Sequence, residues 1–287
     1  WRDENELKYL FFRAATSINM KIKIKTLLKI LLITFISTVT VWFFVFAYSP
    51  TGDLEANFLD VGQGDAILIQ TPGNQTMLIA GGPGSKVLEK LGAYLPPLAK
   101  RIDIVLLTHP HADHVTGLVE VLKRYNVGIV MLSGADLQTD VYGEFLNIAQ
   151  EKSIPVVIAQ AGEAIHFNTN LEFAILAPER SAARVFNKKS EGFGALGNNI
   201  NDTSIVGKLT FKDFKIMLMG DATYKIENQL LAYGENLKSD ILKIGHHGSK
   251  YSSSASFLKA VSPKAAVIEV GLKNRYSHPA ETVLRRL

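Results

Sequence analysis

Three histidines and one carboxylate fall within the six positions from His109 to His114, in the run Thr108-His109-Pro110-His111-Ala112-Asp113-His114. The cluster directly follows the apolar stretch Ile102 to Leu107, which reads as a buried strand, so the polar residues begin where a strand ends and a helix starts. A turn at that place frees the side chains to converge. Neutral imidazoles and a carboxylate are the donor set expected for zinc or a similar divalent ion. The chain has no cysteine to compete for the ion. The other reading, a histidine-rich surface turn, leaves four crowded ligand-type side chains with no cation to offset their crowding.

Other polar clusters recur at strand ends further along: Phe58-Leu59-Asp60-Val61-Gly62-Gln63-Gly64-Asp65-Ala66, Gly220-Asp221, Gly245-His246-His247-Gly248-Ser249 and Asn274-Arg275-Tyr276-Ser277-His278-Pro279. With His-x-His-x-Asp-His they resemble, in order, the signature of the metallo-β-lactamase-fold hydrolases. Within that superfamily they are similar to the soluble hydrolase domain of ComEC-type competence proteins. The likeness spans Leu54 to the last residue. It implies an α/β fold, an αββα sandwich of the metallo-β-lactamase type.

Ahead of that stretch, Lys21, Lys23, Lys25 and Lys29 precede Ile30 to Ala47, eighteen residues without a charge and closed by Trp42 and Tyr48. That length suits a membrane-spanning helix, and no small-x-small cleavage site is evident near Ala47. The reading is a signal anchor over 27–48, preceded by a basic segment over 1–26 in which residues 1–20 show no clear period and Met20 offers a natural start. The lysines place the N-terminus in the cytoplasm and the domain from Leu54 outside, as a single-pass protein of the cell membrane. Residues 1–29 carry seven Lys/Arg and three Asp/Glu, which accounts for the whole net charge of +4 and leaves the rest of the chain neutral. The basicity is a membrane-orienting flank, and the domain lacks the global positive field that captures polyanions at long range.

After a linker over 49–53, strands are expected at Leu54 to Val61, Asp65 to Gln70 and Gln75 to Ala80, with Pro72-Gly73-Asn74 as a hairpin turn. A helix over Val87 to Leu95 leads to the ligand-bearing strand. Val115 to Tyr125 and Asp140 to Lys152 read as helices, Val127 to Leu132 and Pro155 to Ala159 as strands. His166 reads as a structural histidine. Residues 178–202 read as a loop at the rim of the site, where Arg184, Lys188 and Lys189 either grip an anionic substrate or keep the loop soluble, the second being preferred. Strands at Ser204 to Phe211, Phe214 to Met219, Asp240 to Ile244 and Ala265 to Val270 alternate with a helix over Ile226 to Tyr233, and a last helix begins at Glu281. Alternating strands and helices argue for sheets covered by helices. Relatives in the family usually continue into a further strand or two, so the domain over 54–287 is expected to be truncated.

The resemblance also assigns roles. His109 and His111 hold one ion; Asp113, His114 and one imidazole of the His246-His247 pair hold the other, His246 being preferred and His247 then facing substrate; Asp221 bridges the two, and His278 is a proton donor or phosphate contact. Asp60 and Asp65 are carboxylates that hold ligand histidines, and Ser249 stands beside the site. Asn201 and Ser204 fit an Asn-x-x-Ser pattern found where other superfamily members supply a third histidine. Ala80 departs from the family, which usually carries an aspartate before Gly81-Gly82. Loss of such a supporting carboxylate typically costs about 10- to 100-fold in metal affinity or activity. The implied cofactors are two divalent ions, zinc or else manganese. The implied activity is hydrolysis of a phosphodiester, with single-stranded DNA as candidate substrate. A part in DNA uptake would need a separate channel protein. The alternatives are an esterase acting on phosphate-containing envelope polymers and a metal-binding domain of weak catalysis.

Overall fold

The computed structural model describes residues 4–47, 52–168, 170–179, 199–234 and 236–287. The expected rim-loop residues Arg184, Lys188 and Lys189, and Ser49-Pro50-Thr51 of the linker, lie outside the described residues. The chain divides into two compact units, Trp1–Ser49 and Pro50–Leu287.

The first unit is a single helix, α1 (Glu4–Ala47). No glycine or proline occurs between Glu4 and Ala47, so nothing interrupts the backbone, and the helix runs from the aperiodic stretch before Met20 through the lysines into the apolar part. Its apolar part, Lys23–Phe46, has a mean hydropathy of 2.1 and none of it is buried. Twenty-four residues at about 1.5 Å each span roughly 36 Å, enough for a hydrocarbon core of about 30 Å. The hydroxyls of Thr34, Thr38 and Thr40 donate to carbonyls four residues back, which removes their need for water.

The second unit is built on two six-stranded sheets. The first is ordered β1 (Glu55–Phe58), β2 (Ile67–Gln70), β3 (Thr76–Ile79), β4 (Arg101–Leu107), β5 (Asn126–Leu132) and β6 (Val156–Ile158). Its first three strands are antiparallel and the rest parallel, joined through α2 (Lys86–Tyr94), α3 (Ala112–Arg124) and α4 (Asp140–Glu151). The second sheet runs from β7 (Ala164–His166) through β8 (Leu171–Ala177), β9 (Val206–Phe211), β10 (Phe214–Leu218) and β11 (Ile241–Lys243) to β12 (Ala265–Val267). Here α5 (Tyr224–Ala232) and α6 (Ala255–Val261) join the parallel strands, and α7 (Glu281–Leu284) follows.

Side chains alternate across a strand, and both sheets use that alternation to fill three apolar layers. Leu68, Leu78, Val105, Leu107, Val130 and Leu132 pack with Val115, Leu118 and Leu122 of α3. Their neighbours Ile67, Ile69, Met77, Ile79, Leu106 and Met131 pack instead against Phe173, Ile175, Leu209, Ile216 and Leu218 of the second sheet. Met217 and Leu242 point outward onto Ile226, Leu230, Phe257 and Val261. Helix, sheet, sheet, helix is therefore the layer order, as the resemblance implied. β8 and α6 were not anticipated. His166 ends β7 with an exposed side chain 3.5 Å from the Glu172 carboxylate.

Candidate metal centre

The second unit's functional side chains come from the ends of strands in both sheets. β4 ends at Leu107, Thr108 and His109 follow, and α3 starts at Ala112, so Asp113 and His114 lie in its first turn. Gly117 seats this helix: a Cβ there would lie 1.8 Å from the Gly81 carbonyl oxygen. The Gly81 N–H donates to the His114 carbonyl and the Gly82 N–H to that of Asp65, each at 2.8 Å, tying the β3 end to the cluster. β10 ends at Gly220-Asp221, where Gly220 has φ +51 and approaches Ser204 and Thr108 too closely for a side chain to fit easily.

These ends meet. The Asp221 carboxylate lies 3.4 Å from Nε2 of both His114 and His247 and 3.8 Å from Nε2 of His109. Asp113 lies 3.3 Å from His247 Nε2 and 3.9 Å from His114 Nε2. His111 turns Nδ1 to within 3.0 Å of His109 Nε2. Two groups of donors result, His109-His111-Asp221 and Asp65-His114-Asp221-His247. The opposite ring nitrogens are occupied: Thr108 Oγ1 lies 3.2 Å from His109 Nδ1, Ser204 Oγ 3.4 Å from the same atom, and the Glu269 carbonyl 2.8 Å from His247 Nδ1. Held in this way, the rings present their other nitrogens to Asp221.

A divalent cation fits this arrangement. His114 Nε2, His247 Nε2 and Asp221 Oδ1 are buried without a hydrogen-bond partner, and buried polar atoms ordinarily have one. Electrostatics agree. Burial alone would raise Asp221, yet the His114 and His247 charges hold it well below the usual carboxylate range. Burial works against charge on His247, but Asp221, Asp113 and Asp65 raise its pKa overall. The carboxylates thus demand positive charge in the pocket, which protons supply when no cation does. His109 differs: burial, then the neighbouring His114, pushes it well below its ordinary value, leaving the neutral imidazole that ligates metals.

At two positions the geometry differs from the preferred assignment. His247, not His246, stands against Asp113 and Asp221. Both residues adopt left-handed backbone, φ 49° and 53°, which turns the His247 ring inward and leaves His246 with Nε2 3.2 Å from Asn201 Nδ2 and its ring 5.6 Å from that of His278. Asp60 does not reach the centre. Its carboxylate, 75% exposed, accepts from the Gly62 N–H and pairs with Lys86 at 3.0 Å.

Asp65 has Oδ1 3.3 Å from His247 Nδ1 and Oδ2 3.9 Å from His114 Nδ1. Ser204 accepts from the Asp221 N–H as well as contacting His109. The Ser249 hydroxyl accepts from the Tyr251 N–H at 3.4 Å and faces its own loop. Ala80 is fully buried with φ +55 at the end of β3. The sequence reading missed Thr108, Lys243, Glu269 and Gln63. Thr108 had a signal, being the last residue before the histidines, whereas Lys243 and Glu269 look like ordinary strand residues.

Above the cluster opens a cleft of about 310 Å³ lined by His111, Asp113, Asp221, His246, His247 and His278, with Gln63 and Tyr276 at its wall. Tyr276 stacks on His278 with ring centroids 5.8 Å apart.

Comparison with known proteins agrees with this geometry. Residues 59–271 match the family model for the Metallo-beta-lactamase superfamily. The chain is 28% identical over 266 residues to ComE operon protein 3 of Bacillus subtilis (strain 168), covering 86% of this chain and 32% of that protein. It is 28% identical over 241 residues to competence protein ComA of Neisseria gonorrhoeae, covering 83% and 30%. The chain therefore spans about a third of the length of these relatives. Among solved structures, the metallo-beta-lactamase fold protein YhfI from Bacillus subtilis superposes with a TM-score of 0.53 at 15% identity, over 82% of this chain and 91% of that one.

Proposed function

The chain belongs to the metallo-β-lactamase superfamily of metal-dependent hydrolases, and from that premise we propose that it is a membrane-anchored binuclear phosphodiesterase or nuclease working outside the cell membrane. The observation that carries this reading is the convergence on Asp221 of the unpartnered Nε2 atoms of His114 and His247, which follow strands of different sheets.

His109 and His111 would hold one ion, Asp113, His114 and His247 the other, with Asp221 shared. Divalent ions held there supply an activated water at neutral pH and a clamp for the oxygens of an in-line displacement. The chain's own residues set the charge balance. Asp113 and Asp221 contribute two negative charges, Asp65 is paired with Lys243, and burial with the nearby Asp65 carboxylate raises the Glu269 carboxyl pKa well above its usual range. Two divalent ions therefore leave a surplus of about +2, which favours an anionic phosphodiester over a neutral amide. His246 and His278 line the same cleft with their rings 5.6 Å apart, so their N–H groups serve phosphoryl oxygens, with His278 the candidate donor of a proton to the leaving oxygen.

The competence proteins among the relatives support a setting in DNA uptake; within that setting single-stranded DNA is our candidate substrate, and the histidine and carboxylate donors suit zinc or manganese. The span in α1 supports membrane attachment, with the lysine side in the cytoplasm. The purified full chain in detergent, loaded with zinc or manganese, should hydrolyse bis-p-nitrophenyl phosphate and single-stranded DNA. Turnover no greater than that of Asp113→Ala would refute the proposal. A second reading, metal binding with poor catalysis, is favoured by the buried Ala80 methyl. Under it, Ala80→Asp raises activity about 10- to 100-fold, whereas no rise in Ala80→Asp removes that reading.

A further inference from the structure

Lys243 is the only lysine buried among the described residues. It ends β11, in register beside Leu218 of β10, two residues before Gly220. From there its ammonium reaches past the strand ends, donating to the Gly220 carbonyl at 3.2 Å and to the Asp65 carboxylate. Lys243 belongs to the second sheet and Asp65 to the turn entering β2 of the first. The pair thus closes the floor of the centre by joining the two sheets.

Asp65 passes that contact on. Its contacts to the rings are charge contacts: one oxygen lies 3.3 Å from His247 Nδ1, which also meets the Glu269 carbonyl at 2.8 Å, and the other 3.9 Å from His114 Nδ1, which also meets Thr108 Oγ1 at 3.4 Å, and both rings turn their Nε2 atoms to Asp221. A fully buried carboxylate needs a compensating charge, or it shifts towards water or takes up a proton. The Lys243 ammonium supplies the largest share of that compensation, ahead of the His247 and His114 rings. Glu269 is itself an acid, committed through Oε1 to the Ala66 N–H.

Resting on the metal-centre reading above, we propose that Lys243 is a positioning residue: its ammonium pins Asp65, and Asp65 in turn fixes the rings of His114 and His247 so that their Nε2 atoms face the metal position. Nothing about the residue alone suggested this, because a lysine on a short strand ordinarily keeps its head in water.

The test is a double-mutant cycle of Lys243→Met and Asp65→Asn in the full chain. Two quantities are measured for each corner: zinc affinity by competition with a chromogenic chelator, and thermal unfolding in EDTA. Lys243→Met should weaken zinc binding about 10- to 100-fold. The double variant should bind zinc no more weakly than Asp65→Asn alone, because the lysine acts through the aspartate. Its metal-free melting temperature should exceed that of Lys243→Met, because no unpaired charge is left buried. A role confined to folding would lower the melting temperature of Lys243→Met and leave zinc affinity of the folded protein unchanged, and that result overturns the proposal. So does an affinity loss in the double variant equal to the product of the two single losses. If Lys243→Met does not fold, the double variant against Asp65→Asn carries the comparison. A parent chain with no zinc affinity at all would overturn the metal centre first and this role with it.

Discussion

Gly64 is the position at which a single methyl group should separate the fold from its chemistry. It adopts φ +129, a region that alanine enters only with strain, and a Cβ there would lie 2.1 Å from the backbone oxygen of Asp113. An ordinary contact begins near 3.4 Å, so the N-terminus of α3 must retreat by more than 1 Å or the Gly62–Gly64 turn must rebuild. The backbone strain costs roughly 1–3 kcal/mol, and forcing an extra methyl into a packed contact roughly 1–3 kcal/mol more. Partial relief by movement brings the net loss to about 3 kcal/mol, or roughly 6–12 °C in melting temperature for a domain of this size. The larger effect is local, because Asp113 and His114 ride on the displaced turn. A misplacement of about 1 Å costs on the order of 100-fold in rate. Gly143→Ala is the control: it lies in α4 with nothing within 4 Å of the new Cβ, and it should hold or raise the melting temperature. Scanning calorimetry with chelator-competition zinc titration and bis-p-nitrophenyl phosphate turnover gives all three quantities. Gly64→Ala with parental zinc affinity and turnover would refute the argument that this turn seats the metal-binding helix, whatever its melting temperature.

Three further outcomes follow from the geometry. His247→Ala should lower the zinc content measured by inductively coupled plasma mass spectrometry, while His246→Ala should keep it and lose turnover; the reverse pattern would restore His246 as ligand. Burial, with the Asp65 charge beside it, raises the Glu269 carboxyl well above its ordinary value. Its contribution to stability is therefore full below about pH 4.5 and fades as pH rises towards the folded-state value. Glu269→Gln, which mimics the protonated acid, should lose less melting temperature than the parent between pH 5 and pH 8 in EDTA, and parallel curves would sink the assignment. Because the chain has no cysteine, Leu98→Cys on an exposed turn gives one thiol, which a membrane-impermeant maleimide should label in intact cells if the domain lies outside.

What the sequence discloses and what it hides divide along a physical line. Periodicity reports the environment of one strand or helix, so α3, β4 and β5 are legible from their own residues, and the Ser254 cap with Phe257, Leu258 and Val261 is the local signal for α6. His109, His111, Asp113 and His114 are legible for the same reason, since one short turn carries them all. Asp65, Asp221 and Lys243 lie far apart in the chain, and only the packing of two sheets makes neighbours of them. His246 and His247 pose a harder case, because they are identical residues on adjacent positions. Two consecutive left-handed conformations decide which ring enters the pocket. For residues with a Cβ, each such conformation costs roughly 1–2 kcal/mol, so the surrounding fold must impose it, here through Gly248 against Pro279 and the Gly245 carbonyl held by Ser252. That constraint comes from residues on other elements. The choice between the two histidines therefore belongs to tertiary structure, and the zinc content of the two alanine variants is its direct test.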